Sequence, residues 1–348
     1  MPVRDFHPLR VAAVERLCDD AVAVTFDVPP ELAGRYAFRP GQSLTVRRGD
    51  ERRTYSICAP AGAPPRIGVR EVPGGLISSW LVHQVRPGDE VEVAPPSGTF
   101  TPDLDTPGHH VLVAAGSGIT PVLSIAASLL RNPEVQVSVL YGNRRANTVM
   151  FAEELADLKD RHPSRLELVH LLSREAREVE LLSGRLDAAK LRTLLPLLLD
   201  VPAVDHWWLC GPFGMVTDAT GVLGEFGVPP ERIHRELFWV DEPPPELIRG
   251  EPEPAGVASE VTVVLDGRST TVAVGGGDTV LEGAQRARPD LPFACKGGVC
   301  GTCRARVVDG EVRMRRNFAL EAAEVAAGYV LTCQSTPVSP KVVVSFDD

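Results

Sequence analysis

The chain has 348 residues, 44% hydrophobic and 24% charged, with 36 basic side chains against 46 acidic ones. That length suits two or three domains with cores of ordinary size. A net charge of −10 argues against nucleic acid as the main partner. The opening "MPVRDFHPLRVAAVERL" lacks an apolar run of signal-peptide length, and no stretch approaches the roughly 18 uninterrupted apolar residues of a membrane span. The expectation is a cytoplasmic protein with no membrane attachment, in a compartment where disulfides are uncommon.

Residues 1–106 alternate in short bursts. "RVAAVERL" and "AVAVTFDV" flank "CDD", "SLTVRR" and "RTYSICA" flank "GDE", and "RPGQ" and "RPGDEVEV" supply further turns. Such hairpin spacing predicts an antiparallel β-barrel. On one predicted strand, Arg53 can pair with a phosphate, Tyr55 can lie against a flavin, and the Ser56 hydroxyl can reach the reactive ring nitrogen. Gly74 and Gly75 then precede Leu76, Ile77 and Ser78 at a predicted helix start. Free N–H groups there suit a pyrophosphate, and the Ser78 hydroxyl offers one more donor. Taken singly, the tyrosine reads equally as packing and the glycines as a turn.

The rhythm changes over residues 107–240. "HVLVAA", "VQVSVLYG", "LELVHLLS", "HWWLCGP" and a closing "RIHRELF" read as strands, alternating with helical stretches such as "VMFAEELADLKDRH" and "FGMVTDATGVLGEF". The pattern predicts an α/β domain with a parallel sheet covered on both faces. "AAGSGITP" is a glycine turn between strand and helix, with Gly116, Gly118 and Thr120 as candidate nucleotide contacts and Pro121 suited to the first helical position. No acid ends the second strand. Arg144 and Arg145 stand there instead, and Ser173 and Arg174 end the third. A hydroxyl beside arginines fits a 2′-phosphate, which points to NADPH over NADH; solvated surface arginines are the alternative.

Residues 241–257 form a proline-rich, acidic linker, semi-rigid from its prolines. Residues 258–348 open on a predicted hairpin over Asp266 and Gly267, followed by a helix at "TVLEGAQRAR" and the loop "PFACKGGVCGTC". In this loop four residues separate Cys295 from Cys300 and two separate Cys300 from Cys303, with Cys333 further on. This is plant-type [2Fe–2S] spacing, and Gly297, Gly298 and Gly301 let the backbone wrap a cluster closely. A zinc site is the main alternative, although the second short-spaced knuckle of a zinc ribbon is missing. Seven cysteines, three of them clustered, fit metal ligation better than a disulfide framework. Residues 295–316 also carry Lys296, Arg304, Arg306, Arg313, Arg315 and Arg316 against Asp309 and Glu311, either to balance a cluster or to meet a partner.

"RTYS", the glycine helix start about twenty residues later, "GSGITP" and "CGP" together resemble the ferredoxin–NADP reductase superfamily. With the C-terminal cysteine loop, the resemblance covers essentially the whole chain. It is nearest to oxygenase reductases of the phenylacetyl-CoA epoxidase type, with the steroid-hydroxylase reductases as relatives. The family implies three parts: an FAD-binding barrel, a nucleotide domain and a β-grasp ferredoxin domain of the α+β class. It implies that Cys210, Gly211 and Pro212 border the nicotinamide and that the Cys210 thiol lies near the hydride path. Ser56 and Cys210 are thus the candidate catalytic residues, and Glu236 and Phe238 lie in the segment that closes over the flavin. The implied route runs from NADPH through FAD and the [2Fe–2S] cluster to a di-iron oxygenase that epoxidises phenylacetyl-CoA. Alternatives are service to another oxygenase, such as a steroid hydroxylase, or a non-enzymatic ferredoxin-like carrier.

Overall fold

The structure is a computed structural model that describes residues 6–49, 51–239, 259–275, 277–293, 295–320 and 322–347. The expected linker lies outside the described residues. Two compact units result. One comprises His7–Val46 and Tyr55–Phe238, and the other takes in the described part of 239–348 together with Arg47–Thr54.

The barrel is built from β1 (His7–Cys18), β2 (Ala21–Asp27), β3 (Ser43–Arg48), β4 (Glu51–Ser56), β5 (Arg66–Arg70) and β6 (Glu90–Val93), with α1 (Ala33–Tyr36) and α2 (Leu76–His83). Its strand order is β4-β3-β6-β1-β2-β5, and an antiparallel bridge between Ile57 and Ile67 joins the two ends. Closure removes the exposed edges that an open sheet would leave. In β2 the alternation "AVAVTF" serves two cores at once. Val22, Val24 and Phe26 fill the barrel, whereas Ala21 and Ala23 join the core of the nucleotide part. Small residues on the outer face let a helix approach.

That helix is α3 (Ile119–Leu129), the first of the set α3, α4 (Ala152–Arg161), α5 (Ala188–Leu198) and α6 (Phe213–Glu225). These surround a sheet of β7 (Gly108–Ala115), β8 (Val135–Asn143), β9 (Leu166–Leu172), β10 (His206–Pro212) and β11 (Ile233–Trp239) in the order β11-β10-β7-β8-β9. β10, β7, β8 and β9 pair in parallel, as the strand–helix alternation predicts. All but one residue of α3 is buried, because one face packs on the sheet and the other on the barrel. Polar pins hold that contact: Ser124 Oγ donates to the Ala59 carbonyl at 2.6 Å, and Ala61 N donates to Ser128 Oγ at 3.0 Å. Arg66 reaches across from β5 to the Glu154 carboxylate at 2.8 Å. Barrel and nucleotide sheet therefore share a core.

One helical expectation shifts. Gly116–Gly118 forms a single 3₁₀ turn and α3 starts at Ile119, so Pro121 is its third residue rather than its first. The position is tolerated because amides in the first turn have no intrahelical acceptor.

The C-terminal part contains β12 (Ser259–Leu265), β13 (Arg268–Val274), α7 (Val280–Gln285), β14 (Arg304–Asp309), β15 (Val312–Met314), α8 (Ala322–Ala326), β16 (Tyr329–Leu331), β17 (Ser335–Pro337) and β18 (Lys341–Ser345). The sheet order is β13-β12-β18-β14-β16, with β12 and β18 parallel and a separate β15-β17 pair. The predicted hairpin is present. Asp266 and Gly267 take φ of 58° and 67°, as a tight I′ turn requires, and the Asp347 carboxylate accepts from both amides. Thr279 and Glu282 form a reciprocal capping box at the start of α7.

Candidate active site and cluster centre

β4 carries the barrel's candidates. Ser56, almost fully buried, donates through Oγ to Glu236 Oε2 at 3.3 Å on β11. Tyr55 is partly buried against the barrel core. Arg53 Nη1 donates at 2.7 Å both to Glu51 Oε2 and to the Arg52 carbonyl, so a phosphate would have to displace or share with Glu51.

The double-glycine loop enters α2 as expected, but the Ser78 hydroxyl has other work. Its Oγ accepts from Val72 N at 3.1 Å and donates to the Gly75 carbonyl at 3.4 Å, closing the turn rather than facing a ligand. A Cβ on Gly75 would stand 2.5 Å from that oxygen, so the loop has room only for glycine. The helix ladder begins with Ser79 N donating to the Gly75 carbonyl at 3.0 Å, which leaves the Leu76, Ile77 and Ser78 amides ahead of it. These backbone groups are the anion-binding element. The Ile77 side chain is buried in the barrel and Leu76 is exposed.

On the nucleotide side, Gly116 takes φ +57°, and its carbonyl accepts from Tyr141 Oη at 3.0 Å. A Cβ on Gly118 would lie 2.1 Å from the Cys210 carbonyl oxygen, so the turn meets the end of β10 without space for any side chain. Gly211 is similarly hemmed in: a Cβ there would stand 3.2 Å from Ala115 N. Thr120 departs from its expected role. Its hydroxyl donates to the Ser117 carbonyl and its buried methyl abuts Gly68, making it part of the loop's scaffold. Pro212 is exposed at the N-cap of α6, and Phe238 packs against the shared core.

Cys210 is fully buried, and burial, reinforced by the Glu236 charge, pushes its thiol well above the ordinary value. It stays a neutral thiol. Ser56, Glu236 and Cys210 therefore converge from β4, β11 and β10. The sequence marks Glu236 only as part of a closing segment. Its signal is an acid lodged in the otherwise apolar end of a strand.

Arg144, Ser173 and Arg174 also come together. Ser173 N donates to the Asn143 carbonyl and Arg174 N to the Arg144 carbonyl, both at 2.8 Å, at the carboxyl ends of β8 and β9. Both arginines are exposed there. Sequence reasoning passes over Glu175, whose Oε2 accepts from Ala146 N at 2.9 Å beside them.

In the C-terminal part the four thiols fall into two pairs. Cys295 bonds with Cys300, whose thiol is thereby drawn down to about 6, and Cys303 bonds with Cys333, whose thiol is likewise lowered. All four also act on one another electrostatically. Among the described residues no three metal-ligating side chains converge on a single ion. A two-and-two division suits a cluster of two irons, each taking two thiolates. Gly298 (φ +82°) and Gly301 (φ +62°) bend the loop as only glycine does readily. Gln334 Nε2 points at Cys333 Sγ, 3.7 Å away, supplying an N–H of the kind that tunes cluster sulfurs. The residues fit the cluster.

These features define a pyridine-nucleotide oxidoreductase that joins a flavin-type reductase to a [2Fe–2S] domain. The comparisons agree. Residues 112–221 match the oxidoreductase NAD-binding domain family, and residues 263–338 match the 2Fe-2S iron-sulfur cluster binding domain family. The reductase component of the 1,2-phenylacetyl-CoA epoxidase of Escherichia coli K12 is 42% identical, covering 98% of each chain. The ferredoxin reductase component of the 3-ketosteroid-9-alpha-monooxygenase of Rhodococcus rhodochrous is 33% identical over 97% of this chain and 96% of its own. Phthalate dioxygenase reductase shares the fold, with a TM-score of 0.63 at 24% identity and 98% coverage of both chains. The chain belongs to the family of oxygenase reductases that includes the reductase component of 1,2-phenylacetyl-CoA epoxidase. Its cofactors are FAD and a [2Fe–2S] cluster, and a pyridine nucleotide is its electron donor.

Proposed function

We propose that this protein passes electrons from NADPH, through FAD and the cluster, to the di-iron oxygenase of a phenylacetyl-CoA epoxidase in the cytoplasm. The similarity along the whole chain to the epoxidase reductase carries the choice of oxygenase. The cytoplasmic assignment rests on four cysteines that serve as ligands only while reduced; among the described residues, no helix is long and apolar enough to cross a membrane. Residues 1–106 are assigned to the flavin, 107–240 to the nucleotide and 258–348 to the cluster, with 241–257 as the linker.

Bound in these sites, FAD supplies two-electron chemistry with the nucleotide and the cluster supplies one-electron chemistry toward the acceptor. The chain's own residues bind and orient. The leading amides of α2 hold the flavin pyrophosphate, assisted by Arg53, while Tyr55 lies along the flavin. Gly116, Gly118, Gly211 and Pro212 leave the backbone close enough for the nicotinamide half of the nucleotide. Arg144, Ser173 and Arg174 hold the 2′-phosphate. Ser56 and Glu236 share a hydrogen bond that keeps a proton beside the flavin position. Cys210, neutral because it is buried, offers an uncharged contact on the hydride path.

The test has two stages. Anaerobic NADPH should bleach flavin and cluster bands together. Reconstitution with the oxygenase component should then support epoxidation of phenylacetyl-CoA and not hydroxylation of a 3-ketosteroid by its own oxygenase. Efficient coupling only to the steroid enzyme would overturn the assignment of partner.

A further inference from the structure

Next to the cysteine loop lies a face that neither cofactor binding nor the loop's own folding employs. Residues 315–319 cross the loop. Phe318 N donates to the Gly298 carbonyl at 3.1 Å, and the Arg316 carbonyl stands 3.5 Å from the place of a Cβ on Gly298. Gln334, the neighbour of Cys333, anchors the crossing: its carbonyl accepts from Arg315 N at 2.7 Å. The Phe318 ring is nevertheless 36% exposed. A lone exposed apolar residue is ordinary, but this one sits directly over the segment that holds the cluster ligands.

The charge around it differs from that of the chain. Arg313, on β15 opposite Thr336, and Arg315 are exposed, and Arg316 is half-buried beside them. Not every nearby cation belongs to this face. Arg304 binds Glu324 at 2.6 Å and stacks 4.6 Å from the centre of the Tyr329 ring. Three arginines grouped about an exposed aromatic ring, in a chain of net charge −10, form a local reversal of sign. Aromatic and arginine side chains are also the types that dominate binding energy at protein interfaces.

We propose that Phe318, Arg313, Arg315 and Arg316 form the docking surface for the electron acceptor, and that the acceptor meets it with an acidic rim around an apolar recess. The inference rests on the reductase reading and deepens it. An acidic partner is repelled by the chain as a whole and attracted only here, so the patch orients as well as steers the encounter. Phe318 then supplies the desolvated centre of the contact.

The experiment uses the full-length, cofactor-loaded protein and the variants Arg313→Glu/Arg315→Glu and Phe318→Ser. Two haem proteins of opposite charge serve as probes, the acidic cytochrome b5 and the basic cytochrome c. Charge reversal should slow cytochrome b5 reduction about tenfold or more at low salt, flatten its salt dependence, and speed cytochrome c reduction. Phe318→Ser should raise the half-saturating concentration of the oxygenase component about tenfold and leave the salt slope unchanged. Reduction of the cluster by NADPH should stay normal in both variants. Unchanged salt profiles for both cytochromes would overturn the proposal. So would loss of cluster reduction, which would make this face an entry for electrons, or a shift in oligomeric state, which would make it a self-contact. If wild-type protein fails to couple to the epoxidase, the partner assignment falls, while the contrast between the two cytochromes still judges the surface.

Discussion

Acid should loosen the nucleotide sheet at the end opposite its glycine turn. There His110, His206 and His234 gather around Trp208 at the amino ends of β7, β10 and β11. The Trp208 and His234 rings stack 4.0 Å apart, His206 Nδ1 lies 3.2 Å from His234 Nε2, and Trp208 Nε1 donates to His110 Nδ1 at 3.2 Å. Burial, and then the neighbouring His206, push His110 and His234 down to about 4. Asp205 faces His110 and pulls the other way, while His109 adds to the depression. A buried imidazole that resists its proton favours the unfolded chain once the pH falls below the ordinary histidine value near 6.5. Its full contribution is therefore present above about 6.5, is lost as the pH falls toward 4, and falls no further below that. For His110, which is 1% exposed, lowering the pH from 7 to 5 should remove about 2 kcal/mol. His234 is partly exposed and adds less. Hydrogen-exchange protection at the β7 and β10 amides, corrected for intrinsic rates, should drop about 25-fold over that interval. His110→Gln keeps an acceptor for Trp208 and should flatten most of the slope. Equal slopes in wild type and variant would refute the argument.

Cys300→Ser should abolish the cluster's visible bands and electron delivery to the oxygenase while flavin content and NADPH-dependent ferricyanide reduction persist, because separate cores hold the two centres. Arg174→Ala should lower kcat/KM for NADPH about tenfold relative to NADH, since only NADPH offers a 2′-phosphate to a charge-assisted bond; an unmoved ratio would pass the role to Arg144. Gly118→Ala should slow flavin reduction by NADPH about a hundredfold with FAD still bound, as the new methyl would displace the Cys210 carbonyl. Stopped-flow absorbance reads that rate directly.

The order of the three sheets was legible because each has its own period: hairpins with turn residues, strands alternating with helices, and a dipeptide turn before a capped helix. The cluster ligands were legible because ligation to iron fixes their spacing in sequence. What the pattern concealed depends on long-range packing. The two-sided burial of α3 looked like an ordinary helix after a glycine turn, although the alanines of β2 were already its counterpart. Ser78 and Thr120 carry hydroxyls of the right type at the right place. Their oxygens serve neighbouring backbone groups, a choice that depends on loop geometry rather than on residue type. α5 (Ala188–Leu198) is hard to read because Pro196 interrupts its pattern, yet Asp187 caps its start by accepting from Lys190 N.

Glu236 shows how packing creates the chemistry. It lies 180 residues from Ser56, and nothing local joins them. Their hydrogen bond exists because α3 is buried against both barrel and sheet, which fixes the end of β4 and β11 in one unit. Cys210 reaches the same place because Gly118 lets the nucleotide turn press directly on the end of β10. The reacting geometry is thus held by apolar burial between the barrel and the nucleotide part, and a cavity in α3 should damage hydride transfer before it damages flavin binding. A core substitution such as Ile125→Ala, remote in sequence from every candidate ligand, should therefore slow reduction by NADPH while leaving the cluster bands intact.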